Sequence, residues 1–345
     1  MDFRPAQSPV PAPPPLPPWW QEIPGSGVIA TLESPSVVRS DTDRFVTSEA
    51  KSTGARADTV PAVRRDSAKS SDSTATSIGR QGLFSRDLLA FRISEGPCLA
   101  PWVTEQVLQA LRGTVLSCFE SHHKLPQWIS GHQSNGCQTR EVHLATVPLI
   151  GRDAATGDSS PEILGVALAL PRDVPPIERL HLFARLSKRM EADGGLTLRL
   201  GRLGRVRLSG PIELEGFADR TIASLVATAG EWASVTPVVL HRFPKCKPAG
   251  SPDWQAEVRS MIRDACRHAD VPDPVTVRCD LVSFVAGLPP AARAPEAYPL
   301  LKPRSAGAPK PQLHVRLTFA EPVAGPLVLG LGKYRGFGLC VSSEG

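Results

Sequence analysis

From Gly82 to Gly210 the apolar residues change period in a fixed order, and that order constrains the fold more than any other feature. "GLFSRDLLAFRIS" reads as a strand. In "WVTEQVLQALRGTVLSCFESHH" the residues Val103, Val107, Leu108, Leu111, Val115 and Leu116 recur at helical spacing, with Thr104 expected to cap the helix after a Trp102 staple. "VHLATVPL" and "EILGVALALP" predict an antiparallel hairpin around "GRDAATGDSS". "PIERLHLFARLSKRME" predicts a second helix with Ile177, Leu180, Phe183, Ala184 and Leu186 on one face. "LTLRLGRLGRVRLSG" then alternates apolar and basic residues as a strand does. The sum is β-α-β-β-α-β followed by more of both types, including a helix at "PDWQAEVRSMIRDACRHA" and two closing strands in "PQLHVRLTFAEPVAGPLVLGL". This is the ferredoxin-like (RRM-like) arrangement of an α+β protein with antiparallel sheets.

The preceding residues differ in kind. "PAQSPVPAPPPLPPWW" favours polyproline II, and "SEAKSTGARADTVPAVRRDSAKSSDSTATS" has too few large apolar side chains to fold alone. Residues 1–80 are therefore expected to be a disordered or remnant segment, apart from one short strand at "GVIATLES". Residues 81–345 form the folded region, read as two modules of about 81–225 and 226–345. Seven cysteines without a C-x-x-C pair fit a reducing cytoplasm better than a disulfide framework. No apolar run reaches the ~18 residues that a membrane span needs.

Two patterns could carry chemistry. Between Arg179 and Arg207 stand eight Arg or Lys residues against two acids. Arg199, Arg202, Arg205 and Arg207 would share one face of a strand and suit the phosphates of an RNA backbone, or simply a solvated surface. His122, His123, His132 and His143 lie in a loop-rich stretch. Metal-independent RNA cleavage needs groups that accept and return protons near neutrality, and imidazole does so. His132, after a glycine in a loop, and His143, at a strand start, are the catalytic candidates; either could equally be structural. No H-E-x-x-H, no calcium loop, no G-x-S-x-G elbow and no P-loop is present, so neither metal nor cofactor is expected. The closing "GPLVLGLGKYRGFGLCVSSEG" admits two explanations for its glycines, a ligand phosphate or a tight turn.

Four segments in order, "ISGHQSNGCQTREVHLATVPLIG", "EILGVALALPRDV", "EWASVTPVVLHRFPK" and "HVRLTFAEPVAGPLVLGLGKYRGFGL", resemble the CRISPR-associated GSU-type family of subtype I-U (I-G). That family looks like a fusion of Cas-five-type and Cas-six-type domains of the RAMP superfamily. The resemblance implies ferredoxin-like modules that bind CRISPR repeat RNA, with either precursor cleavage or a purely structural role in holding crRNA. It also implies association with other subunits of a type I effector complex, in the cytoplasm and away from membranes. Carried over residue by residue, the superfamily's glycine-rich RNA loop is Gly330, Gly332, Lys333, Arg335, Gly336 and Gly338, and the "SGH…H" segment supplies His132 and His143. Lys333 stands where the resemblance leads one to expect arginine, so it keeps the charge and loses the bidentate fork. Such fusions carry a further folded N-terminal half, so the resemblance implies a shortened copy holding mainly the Cas-six-type part.

Overall fold

The computed structural model describes residues 80–119, 125–133, 135–151, 161–212, 220–292, 296–301 and 308–343. The expectations for residues 1–79 and for His122 and His123 lie outside this set.

Sheet one contains β2 (Phe84–Glu95), β3 (Ala145–Gly151), β4 (Glu162–Pro171), β5 (Leu196–Arg199) and β6 (Arg205–Ile212), in the order β3-β4-β2-β6-β5. Every pair is antiparallel. Between them run α1 (Thr104–Ser117), the one-turn α2 (Gln127–Ser130) and α3 (Pro176–Asp193). Taken in chain order, β2, β3, β4 and β6 stand 4-1-3-2 across the sheet, the ferredoxin-like order. The expected hairpin exists: Ala145 faces Ala169 and Val147 faces Ala167 in the β3/β4 ladder.

Sheet two is assembled from β1 (Arg80–Gln81), β7 (Thr228–Ser234), β8 (Val238–Val239), β9 (Thr276–Asp280), β10 (Gln312–Ala324), β11 (Leu327–Val328) and β12 (Leu339–Ser342). Helix α4 (Arg220–Val226) precedes it and α5 (Pro252–His268) packs on it. Here β7, β9, β10 and β12 repeat the 4-1-3-2 order. The second crossover of a ferredoxin-like module, which joins β10 to β12, contains no α-helix. Residues 325–338, the glycine-rich stretch, fill that position with β11 and one 3-10 turn, Lys333–Arg335.

Strands β3 and β4 are apolar along nearly their whole length because both faces of the sheet are covered there. One face meets α1 and α3 through Phe91, Leu108, Leu111, Val166, Leu182 and Leu198. The other meets sheet two through Phe84, Leu88, Val147 and Ala169 against Val235, Val328 and Leu339. Helix α5 closes a further core with Val258, Met261 and Ile262 over Trp232, Val277 and Leu317.

Three local expectations need correction. Thr104 is the first helical residue and not the cap: a 3-10 turn at Pro101–Val103 leads in, and the Thr104 hydroxyl donates to the Pro101 carbonyl at 2.6 Å. On α3 the buried stripe is Leu182 and Leu186, whereas Ile177 and Leu180 are each 57% exposed. The helix seats the narrower leucine stripe on the sheet and leaves the wider apolar face outside. The run Arg199–Arg207 is not one strand but a hairpin, with the 3-10 turn Gly201–Leu203 between β5 and β6. Among the described residues no helix is long and apolar enough to cross a membrane, and all seven cysteines are free thiols.

Candidate functional site

Helix α1 touches each of the sequence-predicted elements. At its start Glu105 forms an ion pair with Arg335 of the glycine loop. The next residue, Gln106, donates to the Leu200 carbonyl of the arginine hairpin at 2.5 Å. Two turns on, Arg112 donates to the Ser130 carbonyl at 2.5 Å and the Leu144 carbonyl at 3.4 Å, pinning the histidine segment on both sides. Thus the helix packed on sheet one organises the histidine loop, the hairpin and the crossover loop of sheet two.

His132 follows the single turn of α2 and the left-handed Gly131. Its main chain bridges Gln138, and its N–H donates to Ser130 Oγ at 3.2 Å, so the loop is closed on itself. Nδ1 of His132 lies 2.9 Å from the Ser130 carbonyl oxygen. A carbonyl can only accept, which places the proton on Nδ1 and leaves the Nε2 lone pair available. The side chain is half-buried.

His143 is buried at 6% exposure, its Nδ1 3.2 Å from the Glu141 carbonyl. Its ring stacks on Tyr334, centroids 3.5 Å apart and planes 24° from parallel. Burial pushes its pKa down to about 4, and the cations Arg112 and Lys333 push the same way. His143 is therefore a neutral ring at neutral pH, covered by Tyr334 on one face. Lys333 sits with its Nζ 5.2 Å from the Tyr334 centroid, and burial lowers its pKa as well. The histidine segment and the glycine loop meet through this stack of His143, Tyr334 and Lys333.

The glycines answer first to the protein. A Cβ on Gly336, at φ +83°, would lie 2.1 Å from Leu108 Cδ1, and one on Gly338, at φ +75°, 1.9 Å from the Leu329 carbonyl oxygen. Added Cβ atoms at Gly330 and Gly332 would strike Val239 O and Phe337 Cβ, both at 2.5 Å. Phe337 is buried, and Arg335 is held by Glu105, so the loop is clamped between α1 and β8. Lys333 is the loop cation without a carboxylate in its ion pairs among the described residues.

On the hairpin, Arg199 and Arg205 are direct cross-strand neighbours and both exposed, and Arg202 is exposed in the turn. Arg207 is half-buried, with Nε 3.7 Å from Glu95. Sequence reasoning missed Glu105, Arg112 and Tyr334. One signal was available: Tyr334 is one of only two tyrosines and stands between two cations.

Two sheets with the ferredoxin-like strand order, a basic hairpin and a glycine-rich crossover define an α+β protein of ferredoxin-like architecture. The chain belongs to the CRISPR-associated protein GSU0054 family, whose model matches residues 45–342. That match begins inside the segment read from composition as disordered or remnant. No curated protein matches the sequence. Two solved structures are similar at low level. A Cas6-related protein from Pyrococcus furiosus shares 9% identity at TM-score 0.33, covering 75% of this chain and 98% of its own. A CRISPR associated protein Cas6 shares 11% at TM-score 0.35, covering 74% and 98%.

Proposed function

We propose that this protein binds CRISPR repeat RNA and cuts the precursor transcript without metal, working within a type I effector complex in the cytoplasm and built of two modules, 81–225 and 226–345. The observation that carries the reading is the convergence on α1 of the histidine loop, the basic hairpin and the glycine loop. His132 is the catalytic candidate. Its Nε2 lone pair can accept the 2′-OH proton as that oxygen attacks the adjacent phosphorus. The bond from phosphorus to the 5′-oxygen then breaks, giving a 2′,3′-cyclic phosphate and a 5′-OH. Lys333, whose pKa burial lowers, would offset charge on the pentacoordinate phosphorus or return a proton to the leaving oxygen. His143 becomes a positioning residue that orients Tyr334 and Lys333. Arg199, Arg202 and Arg205 track the backbone, while Arg207 and Arg335 contribute less because carboxylates already hold them. The test is incubation of a labelled repeat with the full chain in EDTA. Cutting by wild type that His132→Ala abolishes, with binding retained, supports the assignment.

A second reading, a crRNA-binding subunit that does not cut, is favoured by the burial of His143 and the pairing of Arg335. Binding by wild type with no cutting under any condition selects it.

A further inference from the structure

The loop that follows β8 is set apart from the rest of the basic surface by how it is held. Glu257 of α5 turns its carboxylate into this loop and accepts the backbone N–H of Lys245 at 2.7 Å and of Cys246 at 2.9 Å. It also forms an ion pair with Arg242. The Cys246 N–H, then Arg242 and Lys245, hold the Glu257 pKa down at about 2, so the latch stays ionised at any working pH. With its amides turned inward, the loop leaves His241, Lys245 and Lys247 exposed. Leu240 N–H donates to the Pro311 carbonyl at 2.9 Å, which brings Lys310 alongside, its Nζ 5.4 Å from the Phe243 centroid. Against Arg242, Lys245, Lys247 and Lys310 stand two acids, the latched Glu257 and the exposed Asp253. The excess of positive charge, held at a fixed geometry, attracts a polyanion.

The loop's position gives it an occupant. Leu331 N–H donates to the Val239 carbonyl at 3.0 Å, and Gly338 N–H to the Pro237 carbonyl at 2.9 Å. The β8 strand is thus the far wall of the glycine loop, and the cationic loop continues from it without a break. We infer that residues 241–247 with Lys310 form a second seat for single-stranded RNA, holding the backbone of the strand that passes the glycine loop. This rests on the RNA-binding reading above and adds a place and a positioning residue, Glu257.

The test is fluorescence anisotropy of labelled repeat RNA with the full chain over a salt series. Two phosphates on a single strand contribute ~0.7 each to the salt slope, so Lys245→Ala/Lys247→Ala should lower it by ~1.4 and weaken binding ~25-fold at 0.1 M salt. Glu257→Gln removes a negative charge, which on charge alone should tighten binding. Loss of the latch predicts weaker binding instead, at an unchanged melting temperature of the double-lysine control. Wild-type binding with no change of slope in the lysine variant overturns the inference and leaves the RNA-binding reading standing. Absence of wild-type binding overturns both. Tighter binding by Glu257→Gln removes its positioning role, and a lysine variant that keeps RNA but loses an acidic protein partner overturns the RNA seat.

Discussion

Gly336→Ala separates the two explanations of the glycine loop. At φ +83° an L-residue is strained by roughly 1–2 kcal/mol. The new Cβ would also lie 2.1 Å from Leu108 Cδ1 and 3.0 Å from Thr104 Cγ2, both on α1. Leu108 is 1% exposed in the core under sheet one and cannot simply swing away, so overpacking adds about 1–3 kcal/mol. The expected loss is about 2–5 kcal/mol, a large share of a typical domain's stability. Leu108→Ala alone should cost about 2–5 kcal/mol through the cavity it leaves. In the double variant the new methyl enters that cavity, so the losses should fall short of their sum by about 1–3 kcal/mol while the backbone strain persists. Urea unfolding of the four proteins reads these numbers. A Gly336→Ala protein that unfolds like wild type but binds RNA poorly would refute the packing argument and assign the glycine to ligand approach.

Other outcomes follow from the same contacts. His143 has a folded pKa of about 4 against 6.5 for the free side chain, so its neutral form is the one the fold favours. Its contribution is complete above pH 6.5 and is lost as pH falls towards 4, where the unfolded chain takes up a proton that the folded one refuses; His143→Asn should flatten the stability-pH curve there by about 1.4 kcal/mol per pH unit at most. Equal slopes for the two proteins would count against the burial of that ring. Glu105→Gln breaks the tie from α1 to Arg335, whose side chains are 18% and 29% exposed, and should cost about 1–3 kcal/mol in denaturant midpoint analysis. Arg199→Ala/Arg205→Ala should lower the salt slope of RNA binding by ~1.4, and Arg207→Ala by less because Glu95 already engages it.

Sheet one was legible because strand and helix periods alternate from Phe84 to Leu198 and strands β3 and β4 are apolar along nearly their whole length. Sheet two was harder. Its β9, "TVRCD", and β12, "LCVS", are short and are held in the sheet by the distant β10 and β7, with the two-residue β11 as the local partner of β12, and its second crossover abandons the helix that a ferredoxin-like reading supplies. The arginine run misled because its alternation continues through the turn "GRL", so a hairpin and a strand share one pattern. For the site, residue types were readable and burial was not. Nothing in the sequence told that Tyr334 would cover His143 or that Glu105 would claim Arg335, since both contacts join segments far apart in the chain.

In the proposed reaction His132 drives attack by an RNA 2′-hydroxyl. The direct measurement is the end chemistry of repeat RNA incubated with the protein in EDTA, compared with the same RNA carrying a single 2′-deoxy substitution at the cut nucleotide. Attack by the 2′-hydroxyl predicts a 2′,3′-cyclic phosphate and a 5′-OH from the natural RNA, no cutting of the deoxy substrate at equal binding, and no cutting by His132→Ala. Products bearing 5′-phosphate, or cutting of the deoxy substrate, would contradict it.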